Sequence, residues 1–270
     1  MLQVLPLFKP RAIFAARVSN PDVLKALAGQ AQLETLLFEA SEPGSLSFLP
    51  ALPRLRRLML GKWEAAKAGA LPPGLSSLKS LSVTEGDLKD LAPLAAVAST
   101  LEELAVVGGL TTLKGIETFK NLRTLVMTGN EKLTDLTGLS AAPQLRWLGL
   151  PAATSQDQFA TVVREHPDLQ ILELVGTEKV TDLAPLAGLK QLQGLVIGGP
   201  YDRLDVLKGL TSLRFLGIPE KTWEAAPGQV DQLKKALPEA LVVRIKPFCL
   251  GSGWILLLAP VVALGWLRRR

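Results

Sequence analysis

The sequence predicts an α/β solenoid: a horseshoe of stacked units with a parallel sheet on its concave side, followed by one C-terminal transmembrane helix. Three observations predict it. The pattern L-x-x-L-x-L, with Ile, Val, Met or Phe allowed at its last position, recurs nine times, its first leucines 21–24 residues apart. Several copies are followed by D-L-x-x-L, at residues 90–94, 135–139 and 182–186. Residues 248–267 read FCLGSGWILLLAPVVALGWL, twenty positions without a charge.

The elements follow in chain order. Residues 1–32 are expected to form an N-terminal cap, with a worn first copy near Leu2 to Leu7. The repeats then occupy 33–222. They run through Leu33-Leu36-Phe38, Leu55-Leu58-Leu60, Leu78-Leu81-Val83, Leu101-Leu104-Val106 and Leu122-Leu125-Met127. They continue through Leu145-Leu148-Leu150, Leu169-Leu172-Leu174, Leu192-Leu195-Ile197 and Leu213-Leu216-Ile218. Each motif is a short strand whose alternate residues point into the core. One unit cannot bury its leucines alone, so stability is a sum over neighbours. The Asp of D-L-x-x-L can cap a single helical turn on the convex side, where Pro93 and Pro185 suit an early position. The short convex form breaks at Gly61 to Leu75, which contains Lys62 to Ala66, and at its echo Lys221 to Ala226, while Gln156 to Glu165 and Gln229 to Leu237 read as helices. Residues 223–247 are expected to cap the end of the core, with a degenerate strand at Val242 to Ile245.

The stretch 248–267 spans about 30 Å as a helix, enough to cross a hydrocarbon core. Trp254 and Trp266 sit toward its ends, where amphipathic rings favour the interface, and Arg268, Arg269 and Arg270 close it as a basic tail. The opening MLQVLPLFKPRAIF has Pro6 inside its apolar run and places Lys9 and Arg11 after it, the reverse of an export signal. The expectation is therefore a single-pass tail anchor with the repeat domain in the cytosol.

Composition narrows the chemistry. Cys249, His166 and Tyr201 are each the only residue of their type. A disulfide framework, a cysteine zinc site and a two-histidine metal site are thereby ruled out. His166 precedes Pro167 and is read as the end of a helix, and Cys249 as an apolar residue at the membrane edge. Phosphate-binding loops, dinucleotide turns and nucleophile elbows are missing, so no catalytic residue, cofactor or metal is expected. The net charge is +5, but with the three terminal arginines set aside 27 basic residues face 25 acidic ones. Arg54, Arg56 and Arg57 form the one tight internal basic cluster, so nucleic acid is not expected as a partner.

Nine copies in register, over roughly Asp22 to Ile245, resemble the leucine-rich repeat family. The repeat length and D-L-x-x-L are similar to those of bacterial internalins and a protein phosphatase regulatory subunit. The family places an Asn three residues after the last strand leucine, where it bonds neighbouring turns. Asn130 fits, whereas Gly86, Gly109, Thr177 and Pro200 stand at that place in other copies. The resemblance implies a non-catalytic interaction module that holds a protein or peptide on its concave face.

The residues flanking each second leucine point into that hollow. Late in the chain they are apolar: Trp147, Ile171, Val196 and Phe215, with Gly149, Gly194 and Gly217 expected to leave room between them. An exposed apolar patch of this kind marks a partner, with Trp147 as the anchor. Glu173 within the strip, and Arg57 with Met59 at its far end, complete the candidate set. The competing expectation is that the chain's own tail or lipid headgroups cover the face. An exported surface receptor or adhesin, similar in use to internalins, is the alternative function.

Overall fold

A computed structural model describes residues 9–14, 26–39, 46–199, 201 and 203–245. The expected transmembrane helix 248–267, the basic tail 268–270 and the worn copy near Leu2 to Leu7 lie outside the described residues. Among those described, no helix is long and apolar enough to cross a membrane.

The repeat leucines decide the architecture. Each strand starts two residues after the first leucine of its motif, and consecutive strands pair in parallel. The strands are β1 (Ala12–Phe14), β2 (Thr35–Glu39), β3 (Arg57–Gly61), β4 (Ser80–Thr84), β5 (Glu103–Val107) and β6 (Thr124–Val126). They continue as β7 (Trp147–Gly149), β8 (Ile171–Leu174), β9 (Gly194–Ile197), β10 (Phe215–Pro219) and β11 (Leu241–Ile245). Among the described residues they make one eleven-stranded sheet in strict sequence order. The register stacks like on like: Leu36 pairs with Leu58, Leu58 with Leu81, Leu81 with Leu104, and so on to Leu216. All nine leucine triplets are at most 1% exposed. Strands about 4.8 Å apart thus give each leucine a near-identical neighbour above and below.

Ahead of the nine motifs, the described residues add one further strand. It is Ala12–Phe14, where Ile13 aligns with Leu36 and continues the inward ladder for one more rung.

The convex side is built from single turns. Short 3-10 helices occupy Ala92–Val97, Thr137–Ala141 and Ala184–Gly188. Asp90, Asp135 and Asp182 each accept a hydrogen bond from the backbone N–H two residues on, at 2.9, 3.0 and 2.9 Å. Each Asp thereby holds the turn into its helix from the residue before the cap position. α-Helices appear where the sequence breaks the pattern: α1 (Ala65–Ala68), α2 (Gln156–Glu165), α3 (Glu220–Ala225) and α4 (Pro227–Ala236). α2 begins on a reciprocal capping box between Ser155 and Gln158 and buries Phe159, Val162 and Val163. α3, α4 and β11 close the end of the core. There Val230 and Leu233 are buried, Lys234 lies 4.6 Å over the Trp223 ring, and Arg244 pairs with Glu220 and Glu224.

The turn position expected to carry Asn is filled in three ways. Asn130 donates to Val106 O at 2.7 Å and Met127 O at 2.8 Å, and accepts from Leu110 N at 2.9 Å. At Gly109, with φ +93°, a Cβ would lie 2.7 Å from Gly86 O, so the backbones touch where an amide would otherwise bridge them. Thr177 bonds its own turn through Leu174 O at 2.8 Å.

Candidate binding face

Side chains alternate along each strand, so positions not pointing into the leucine core form the open face of the sheet. On β7 to β11 these positions are apolar or glycine with one exception, Glu173.

The strip is flatter and more filled than its sequence predicts. Val196 and Phe215 are 3% and 8% exposed and form a second apolar cluster, against which Trp147, Val175, Val243 and Ile245 pack. The expectation that these flanking residues stay open is corrected for Val196 and Phe215: they are its floor. The glycines also do not leave room. A Cβ at Gly149 would meet Val126 Cγ1 at 2.9 Å, one at Gly194 would meet Ile171 Cγ1 at 3.3 Å, and one at Gly217 would meet Ile245 Cδ1 at 2.2 Å. Each glycine is a notch filled by a branched side chain from an adjacent strand. The surface left to solvent consists of the half-buried Trp147, Ile171, Val175, Val243 and Ile245, with the exposed Leu241 at its β11 edge.

Glu173 sits at the centre of the strip on β8. It is 3% exposed, and its Oε1 accepts the Trp147 indole N–H at 2.7 Å. Its neighbours in register are Gly149 on β7 and Val196 on β9, neither of which can solvate a charge. Burial disfavours the carboxylate and pushes its pKa up to about 7, against the opposing pull of the Trp147 hydrogen bond.

Arg57 and Met59 are not part of this strip. They stand on β3, four strands from Trp147, with Arg57 exposed and Met59 half-buried. Arg57 instead lines a polar groove of about 280 Å³ with Arg56, Lys79, Ser80, Glu102 and Glu103. Lys79 and Glu102 pair within it at 2.9 Å. The sequence-derived set thus divides into an apolar strip with one acid and a separate groove of mixed charge.

Three members of the strip escaped the sequence reading. Val175 lies one position beyond the last motif residue, and Val243 and Ile245 belong to the degenerate strand, outside the nine copies. Continuing the alternation by two residues along β8, and across the register onto β11, locates them.

His166 ends α2, its backbone N–H bonding Val162 O at 3.0 Å. The ring is 3% exposed, and neither ring nitrogen has a hydrogen-bond partner. Burial lowers its pKa, opposed by the charge of Glu165. It faces no cleft on the strip and is a packed residue. Cys249 lies outside the described residues. Among the described residues no cluster of three or more His, Cys, Asp or Glu could hold a metal ion.

No protein-family model and no curated protein matches this chain. Solved structures do. The internalin inlF of Listeria monocytogenes is similar at a TM-score of 0.50 and 17% identity, covering 93% of this chain and 89% of that one. Internalin C2 of the same species is similar at a TM-score of 0.50 and 17% identity, covering 73% of this chain and 83% of that one. At this identity the likeness is one of fold, and the fold is that of a leucine-rich repeat solenoid.

Proposed function

We propose that the protein is a non-catalytic, membrane-anchored interaction module that holds a protein or peptide on the open face of β7 to β11. One observation carries the reading. Trp147, Ile171, Val175, Val243 and Ile245 present a continuous half-buried apolar surface over a packed floor of Val196 and Phe215. Adjacent strands bring residues about 23 positions apart in sequence to within about 4.8 Å, so the patch is rigid and costs little ordering on binding. Apolar surface gathered in this way marks a partner, with an aromatic side chain as its anchor.

Trp147 holds the buried Glu173, so its truncation to alanine disturbs the free protein as well as its complexes. Val175→Asp with Val243→Asp places charge on half-buried positions instead. Partners recovered from membranes with this double variant are compared with those of wild type and of an exposed convex-side control, Lys190→Glu. Loss of partners from the double variant alone, with thermal unfolding unchanged, is expected. Identical partner sets for all three would reject the open face as the binding surface.

The anchor is the second part of the reading. Its support is the uncharged length of residues 248–267 and the aromatic and arginine residues at its ends. The chain cut after Pro247 is expected to leave the membrane fraction and remain folded, because no repeat leucine lies beyond that point. On this reading the repeat domain faces the cytosol. The alternative, an exported internalin-like receptor, draws on the fold likeness to two internalins. Protease added to intact cells would digest the repeat domain under the alternative and spare it under the first reading.

A further inference from the structure

Among the described residues, the open face of β6 to β11 contains Thr124, Val126, Trp147, Ile171, Val175, Val196, Phe215, Leu241, Val243, Ile245, several glycines and Glu173. Glu173 is therefore its single ionisable group. It does not sit at the rim, where water would solvate it, but between Gly149 and Val196 in the register, 3% exposed. The one hydrogen bond the structure gives its carboxylate is the Trp147 indole N–H at 2.7 Å. A neutral donor satisfies one lone pair but supplies no charge, and an isolated carboxylate in apolar surroundings is costly until a cation joins it. Arg146, just before β7 in the chain, is paired with Asp168 at 3.5 Å.

We infer that the segment held on the apolar strip carries a single basic side chain, lysine or arginine, which is received by Glu173 beside Trp147. This rests on the binding face proposed above and adds the chemistry of its occupant. Charge complementarity selects that occupant. An apolar segment without a cation would bury Glu173 further and leave it uncompensated, and an acidic one would meet a like charge. A cation brings the missing charge, and the Trp147 ring beside it can take the alkyl stem or the planar guanidinium. Binding also gains a sign with pH. The free carboxyl holds its proton up to about pH 7, and pairing with a cation requires that the proton leave. The proton passes to solvent, so binding strengthens as pH rises through that range. The groups packed around Glu173 on β7 and β9 do not titrate, so the dependence belongs to Glu173.

The test uses the full chain in detergent micelles and a phage-displayed library of random twelve-residue peptides, panned at about pH 8. Enriched clones are re-measured against wild type, Glu173→Gln and the Val175→Asp/Val243→Asp variant. Glutamine keeps an acceptor for the Trp147 N–H, so Glu173→Gln removes the charge and not the hydrogen bond. Clones competing for the strip are expected to share one lysine or arginine among apolar residues. Their affinity should fall about tenfold or more between about pH 8 and about pH 5.5, a change of over one pKa unit in the receiving group. Glu173→Gln should abolish both the pH dependence and the basic preference. Apolar clones that need Val175 and Val243 but show no basic residue, or bind Glu173→Gln with the same pH profile, would overturn this inference and leave the binding face standing. Clones indifferent to the Val175→Asp/Val243→Asp variant would overturn the binding face and the inference with it.

Discussion

Glu173 and His166 are both buried ionisable residues, and they bias stability in opposite directions. The Glu173 pKa is raised from 4.5 to about 7, so the folded state holds a proton that the unfolded chain has released. Its contribution is present in full below about pH 4.5 and is lost as pH rises through about 7. His166 has a lowered pKa, so its contribution is present in full above the unfolded value of 6.5 and is lost as pH falls below it toward the lower folded value. Comparing chemical denaturation of wild type and Glu173→Gln across this range isolates the first effect. The stability of wild type relative to the variant is expected to fall by about 3 kcal/mol between about pH 4.5 and about pH 8. A difference that stays constant with pH would mean that the carboxyl is solvated. The Trp147–Glu173 pair shows where residue-level reading stops. Both residues were legible as open-face positions, but their contact is diagonal, joining different columns on adjacent strands. Only the twist and rotamers of the folded sheet decide whether such a pair meets.

At the scale of the element, each turn after a strand must satisfy backbone groups that the sheet leaves unpaired. Asn130 does so for Val106, Leu110 and Met127 while only 1% exposed. Asn130→Ala strands those groups without water, and about 2 kcal/mol of destabilisation is expected in thermal or urea unfolding. No measurable loss would show that the neighbouring turns close by backbone contact alone, as they do at Gly86 and Gly109. The strands and their register were legible because three apolar positions at fixed spacing admit one pairing. The helix at Gln156–Glu165 was legible from its apolar side. The filling of Gly149, Gly194 and Gly217 was not, because the filling atom belongs to another repeat. A glycine read in its own strand looks like a gap. Beside Val126, Ile171 or Ile245 it is a socket. For the same reason Val196 and Phe215 read as free surface and fold as a floor.

For the molecule as a whole, eleven strands in sequence order mean that every unit leans on its neighbours. Leu148 is fully buried between Leu125 and Leu172 in the register. Leu148→Asp puts an unpaired charge into that stack, at a cost of several kcal/mol, on the order of that for buried ions. The loss should spread through adjacent repeats, read as a broad fall in amide protection on both sides of β7. A fall confined to β7 would mean that the repeats fold as independent units. The same linear arrangement makes the open face a site, since it places Trp147, Val175 and Val243 on one rigid surface from three distant parts of the chain. The most direct measurement of that claim is site-specific photocross-linking in intact membranes. A photoreactive residue is placed at Val243 on the open face or at Lys190 on the convex side. A shared protein or peptide adduct at Val243, lost when Glu173 and Val175 are both replaced, is the expected result. Adducts from Lys190 alone, or none at Val243 beyond lipid, would contradict the account.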